Sequence, residues 1–161
     1  MKFDDFVPCQ TFHAPMTITK DDFDRYISFA RTKNMLHENP ELAANEGIKG
    51  VLLPGRSIIA RAEGGMTRLP AFSDCIMLLY GMDGDSGWGA RQTRFIGEAY
   101  AGDTLDVKYT IVSKKEEKDG YGILRVDYEI SKAGKPVAIS RGNLYRIKKW
   151  PLRTSRSESS R

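Results

Sequence analysis

His13 and His37 are the only histidines of the chain, and Cys9 and Cys75 the only cysteines. Of the four, His37 has the setting best suited to chemistry, in the run Ala30-Arg31-Thr32-Lys33-Asn34-Met35-Leu36-His37-Glu38-Asn39-Pro40. It stands in a polar segment directly after an amphipathic stretch. Imidazole takes and gives a proton near neutrality, so His37 is a candidate acid/base group. Thr32 is a poorer one. Its hydroxyl stays protonated without a perturbing partner, so it can orient a water but not deprotonate it. His13 has no comparable context and reads as a surface residue.

Other chemistries fall away on spacing. His37-Glu38-Asn39-Pro40-Glu41 lacks the second histidine of a zincin helix, and Pro40 breaks the register. With two histidines and two distant cysteines, neither a standard zinc site nor a disulfide framework is expected. Gly55-Arg56-Ser57 begins like a nucleophile elbow, yet Ile59 takes the place of its last glycine and no histidine follows the serine. Gly84-Asp85-Ser86-Gly87-Trp88-Gly89 has no nucleotide-binding spacing. Arg94 occupies the place where a calcium loop begun at Asp83 needs its glutamate. The segment reads as a flexible loop, with Trp88 over a pocket mouth or packed on the sheet.

The elements that must position these residues fit in one core, since the chain has 161 residues, 40% of them hydrophobic. The net charge of +4 resides in Lys148–Arg161, which holds five basic residues and one acid. Residues 1–147 are therefore expected to form a single domain and 148–161 a basic, disordered tail, with no nucleic-acid partner. No run is long enough to span a membrane and the first residues do not resemble a signal peptide, so the expected location is the cytoplasm.

Residues 1–16 read as an extended lead-in. Thr19 can cap a helix over about Asp21 to Ala30, with Asp22 in its first turn and Phe23, Tyr26, Ile27 and Ala30 on one face. Pro40 can open a second short helix. A longer helix is expected from Arg56 to about Glu63, stopped by Gly64-Gly65. Beyond Phe72 the pattern is sheet: a buried strand over Cys75–Tyr80, alternating strands over 105–111 and 124–130, and a last strand from Pro136 to Ile147. Lys114–Gly120 reads as a solvated hairpin loop, Lys132–Lys135 as a turn. Early helices and late antiparallel strands make an α+β domain in which one long helix packs on a curved sheet.

Asn34, Leu36, His37, Pro40 and Ala43 match a motif of the MaoC-like, (R)-specific enoyl-CoA hydratases. There Ser-Gly-Asp-x-Asn-Pro-Leu-His is followed, after a short gap, by a proline and a small residue. Arg31 and Met35 depart from it, and Thr32 stands at the family's catalytic aspartate. Val51-Leu52-Leu53-Pro54-Gly55-Arg56 sits where the family carries Ile-Ala-His-Gly before its central helix. The stretch from Arg94 to Leu105 is similar to Arg-Phe-x-x-Pro-Val-x-x-Gly-Asp-Thr-Leu. The resemblance covers about Pro15 to Ile147.

It implies a hot-dog fold, in which a curved antiparallel sheet wraps a central helix, and a dimer with itself or with a related hot-dog chain. The implied chemistry adds or removes water at the double bond of an acyl thioester. Coenzyme A thioesters are then substrates, and no resident cofactor or metal is expected. By the same resemblance His37 is the acid/base, Asn34 positions it, Gly55 donates to the oxyanion and Thr32 lies beside the water. A carboxylate replacing the motif aspartate would come from elsewhere; Glu38, Glu41 and Glu63 are nearest in sequence. A thioesterase of the same fold, or a non-catalytic acyl-CoA-binding or structural subunit paired with a complete hydratase, are the alternatives. Phe72, Met77, Trp88 and Phe95 are candidates to line the acyl pocket, indistinguishable from core by sequence.

Overall fold

A computed structural model describes residues 1–82 and 93–149, apart from the side chain of Tyr80. The glycine-rich segment with Trp88, and the tail from 150 onward, lie outside the described residues. Lys148 and Lys149, assigned by sequence to the tail, belong to the ordered fold. Lys148 ends the last strand, and Lys149 Nζ pairs with Glu116 at 2.7 Å.

Among the described residues, six antiparallel strands form one sheet: β1 (Thr11–Thr17), β2 (Met77–Met82), β3 (Thr93–Phe95), β4 (Thr104–Glu116), β5 (Tyr121–Lys132) and β6 (Lys135–Lys148). Their order is β1-β4-β5-β6-β2, and β3 also pairs with β6. The alternation expected of 105–111 and 124–130 is present. Leu105, Val107, Tyr109 and Ile111 point inward from β4, and Leu124, Val126, Tyr128 and Ile130 from β5, all buried. Register shifts between Ile111 and Ser113, Val126 and Tyr128, and Ile130 and Ser131 bend these long strands.

Among the described residues, four helices of the α type accompany the sheet: α1 (Lys20–Ala30), α2 (Met35–Glu38), α3 (Pro40–Asn45) and α4 (Gly55–Thr67). α1 begins where its signals place it. Thr19 Oγ1 accepts from the Asp22 amide and the Asp22 carboxylate accepts from the Thr19 amide, a reciprocal cap. That amide holds the Asp22 carboxyl below its ordinary pKa. α4 lies inside the sheet and buries Ser57, Ile58, Ala62 and Met66.

The structure corrects several expectations. Helix α4 does not stop at Gly64-Gly65 but runs to Thr67. A Cβ on Gly65 would lie 3.0 Å from the Tyr109 hydroxyl, which donates to the Ala62 carbonyl at 2.7 Å. Glycine there serves close approach to the sheet, not termination. The lead-in is more than extended chain: Phe3–Asp5 forms a 3-10 turn, and Thr11–Thr17 pairs with β4 as an edge strand, a place where Pro15 is tolerated. The charged stretch after Lys114 is partly strand, because β4 continues to Glu116 before a tight turn.

The strand expected to be buried over Cys75–Tyr80 is shifted to Met77–Met82 and lies at the end of the sheet. Leu78 and Leu79 are 54% and 56% exposed. A continuous apolar run reports that both faces are apolar; what covers them is decided by the neighbours.

Candidate active site around His37

The segment after α1 is built from short-range hydrogen bonds. Arg31 adopts the left-handed conformation (φ 50°) that ends α1, and the Thr32 amide donates back to the Ile27 carbonyl at 3.3 Å. Asn34 then caps α2, its Oδ1 accepting from the Leu36 amide at 3.0 Å. Its carbonyl accepts from the His37 amide at 2.9 Å. Asn39 repeats the device for α3, with Oδ1 accepting from the Leu42 amide at 3.0 Å and Pro40 in the first turn. Asn34 thus opens the one-turn helix that carries His37.

The ring of the half-buried His37 is held from two sides. Nδ1 lies 3.0 Å from the Leu52 carbonyl oxygen, and Phe23 meets the ring edge-on with centroids 6.1 Å apart. A carbonyl can only accept, so Nδ1 carries a proton in either charge state of the ring. Nε2 is then the nitrogen that gains and loses the working proton.

Leu52 is placed by a local pairing that brings α4 to the site. The Leu53 amide donates to the Ala99 carbonyl and the Ala101 amide to the Val51 carbonyl, each at 2.9 Å. Leu52 and Tyr100 form an antiparallel bridge. The chain leaves this pairing through Pro54 into Gly55, the first residue of α4. The first amides of a helix have no intrahelical acceptor, and a 13-residue helix concentrates positive potential there, so Gly55 N–H suits a developing oxyanion. Phe95 packs directly on Gly55: a Cβ there would meet its ring at 2.5 Å.

His37 forms part of the wall of two adjoining clefts. The wider, of about 700 Å³, is mostly apolar, with Phe23, Ile27, Leu36, Ala43, Ile48 and Val51 around it and Lys20 and Lys49 at its border. The narrower, of about 340 Å³, brings His37 together with Asn34, Gly55, Phe95 and Glu98. Three of the four residues singled out by sequence therefore meet in one cleft. Thr32 lines neither.

Sequence reasoning did not single out Glu98 or Tyr100. The Tyr100 hydroxyl donates to the Glu98 carboxylate, and this bond is the main reason the tyrosine pKa is raised. Asp103 steadies Tyr100 by accepting its amide at 2.8 Å, and pairs with Lys132 Nζ at 2.6 Å. Burial works against the Asp103 charge, yet the lysine and the amide hold its carboxyl below the ordinary range. The signal that could have found Glu98 was its replacement of the proline in the segment after Phe95. Of the carboxylates considered earlier, Glu38 borders the wider cleft, Glu41 borders neither, and Glu63 accepts from the Tyr145 hydroxyl at 2.9 Å.

Among the pocket-lining candidates, Phe72 is core, 2% exposed, Phe95 lines the narrower cleft, and Met77 is half-buried against the core. Among the described residues, no three His, Cys, Asp or Glu side chains converge to hold a metal, and no helix is long and apolar enough to cross a membrane.

No protein-family model and no curated protein matches the chain. Solved structures do. A monoamine oxidase regulatory protein from Archaeoglobus fulgidus superposes with a TM-score of 0.74 at 19% identity, over 94% of this chain and 96% of that one. A MaoC-like dehydratase from Rhodospirillum rubrum gives 0.68 at 16% identity, over 94% and 99%. The (R)-hydratase from A. caviae involved in PHA biosynthesis gives 0.62 at 14% identity, over 91% and 98%. The chain has the hot-dog fold that these proteins share, as the sequence resemblance implied.

Proposed function

We propose that the chain is an acyl-CoA hydratase or dehydratase, adding or removing water at the double bond of an acyl thioester. One observation carries this reading. A histidine with Nδ1 fixed on the Leu52 carbonyl shares a cleft with the N-terminus of the central helix. In hydration, a water oxygen bonds to the β-carbon as the water's own proton passes to a base in the cleft, and Nε2 of His37 gives a proton to the α-carbon. The π electrons pass through the α-carbon toward the thioester oxygen, where the Gly55 amide accommodates the charge. Dehydration runs the same steps in reverse. The wider apolar cleft is suited to an acyl chain, and Lys20 and Lys49 at its border to coenzyme A phosphates.

The working form is proposed to be a dimer with itself or with a related hot-dog chain. Leu78, Leu79 and Met82 on the edge strand β2, all at least 44% exposed, are apolar surface of the kind a partner covers. A 3R-hydroxyacyl-ACP dehydratase from Mycobacterium tuberculosis of similar fold is a HadBC complex.

Thr32 favours a second reading, a non-catalytic acyl-CoA-binding subunit, because it provides no carboxylate and borders neither cleft. One experiment separates the readings. The purified protein and a His37→Ala control are incubated with 2-enoyl-CoA thioesters of several chain lengths, and the products are analysed by mass spectrometry. Water addition lost in the control is the expected result. Free coenzyme A with the matching acid would instead indicate a thioesterase, and unchanged thioesters a binding subunit.

A further inference from the structure

We infer that Glu98 is the carboxylate that deprotonates the water, in place of the aspartate the motif lacks at Thr32; the inference rests on the hydratase reading. Three observations meet at this residue. First, the cleft that contains both His37 and the N-terminus of α4 contains Glu98, whereas Thr32 is outside it. The pairing of Leu53 with Ala99 and of Val51 with Ala101 sets residue 98 beside the Pro54-Gly55 step. Second, the side chain is held: the Tyr100 hydroxyl donates to one carboxylate oxygen, and Tyr100 is itself fixed by the bridge to Leu52 and by Asp103. The raised pKa of Tyr100 means that its proton stays on the phenol and faces the carboxylate. Third, two of the departures from the family pattern are complementary. An acid is missing at position 32, and one appears at 98 where the pattern has proline.

The step balances with one proton shared between Glu98 and His37. In hydration Glu98 is a carboxylate and His37 carries a proton on Nε2. Glu98 takes a proton from water as the water oxygen bonds to the β-carbon. The π pair shifts to the α-carbon and thioester oxygen beside the Gly55 amide, and the Nε2 proton passes to the α-carbon. Transfer of the proton from Glu98 to His37 through solvent restores the starting state. Tyr100 acts through the Glu98 carboxylate and is a positioning residue.

The test measures hydration of a 2-enoyl-CoA thioester by wild type, Glu98→Gln, Glu98→Ala, His37→Ala and Glu41→Gln, with the thermal midpoint of each. Glu98→Gln is expected to lower kcat about 100- to 1,000-fold with KM within about threefold, as for removal of a general base. Glu41→Gln leaves kcat within about twofold. Formate added to Glu98→Ala raises kcat at least about tenfold, which a purely structural role of Glu98 does not explain, and does nothing for His37→Ala. Active wild type, inactive His37→Ala and unimpaired Glu98→Gln would overturn this inference while leaving the hydratase reading intact. A Glu98→Ala enzyme that is folded but unresponsive to formate would likewise overturn it. Wild type that hydrates no thioester overturns both.

Discussion

Alanine at Gly55 and alanine at Gly122 create similar collisions with opposite consequences. A Cβ on residue 55 would lie 2.5 to 2.6 Å from the Phe95 ring, and one on residue 122 would lie 2.2 Å from the Phe3 ring. Neither glycine has a positive φ, so backbone strain does not enter. What differs is the freedom of the ring. Phe3 is fully buried, whereas Phe95 is 48% exposed. Gly122→Ala must displace a core ring, an overpacking of about 2–3 kcal/mol, or roughly 5–10 °C in thermal midpoint for a chain of this size. Gly55→Ala lets Phe95 swing aside. The lost ring contact is offset by up to about 1 kcal/mol of helix propensity, so the midpoint moves by no more than about 3 °C. Its effect is on the site. The ring must retreat by about 1 Å to regain ordinary contact, within the cleft it shares with His37 and Glu98. A misplacement of that size lowers kcat/KM on the order of 100-fold. The double variant Gly55→Ala/Phe95→Ala removes the obstruction and is expected to recover at least tenfold of that loss, on the order of the effect itself. Thermal denaturation of the three variants with enoyl-CoA hydration rates checks both halves. Equal midpoints for Gly55→Ala and Gly122→Ala, or a double variant as slow as Gly55→Ala, would refute the reasoning.

Asn34→Ala removes the cap of α2 and is expected to cost about 1 kcal/mol locally. The resulting looseness of His37 lowers kcat about tenfold, while Asn34→Ser or Asn34→Asp keeps most of the rate, because any good cap suffices; kcat with thermal midpoints decides. Asp103→Asn weakens its bonds to the Tyr100 amide and Lys132, and is expected to destabilise by about 1–2 kcal/mol at neutral pH. The folded-state carboxyl titrates below its ordinary value, so its contribution is present above the unfolded pKa and is lost as pH falls through the folded one. Urea midpoints of wild type and Asp103→Asn should therefore converge in acid, below about pH 3.8, the ordinary value, and a constant gap would sink the assignment.

Local signals were legible in the sequence because the forces behind them act within a few residues. The Thr19–Asp22 cap, the alternation of β4 and β5 and the proline start of α3 each follow from a neighbouring hydrogen bond or from one apolar face. His37 was found by its residue type and setting, Asn34 and Gly55 through the resemblance to the hydratase motifs, and the structure brings all three into one cleft. What tertiary structure decided depends on which distant segments meet. Only the pairing of residues 51–53 with 99–101 puts the Leu52 carbonyl on His37, Gly55 beside Phe95 and Glu98 in the cleft with Asn34, and no periodicity encodes it. The Tyr109 hydroxyl beneath Gly65 turned an expected helix stop into a close contact. The apolar run at 75–80 did not reveal that its strand would end the sheet with Leu78 and Leu79 uncovered. Sequence reports which groups seek burial or a partner, and the fold decides which of them obtain one.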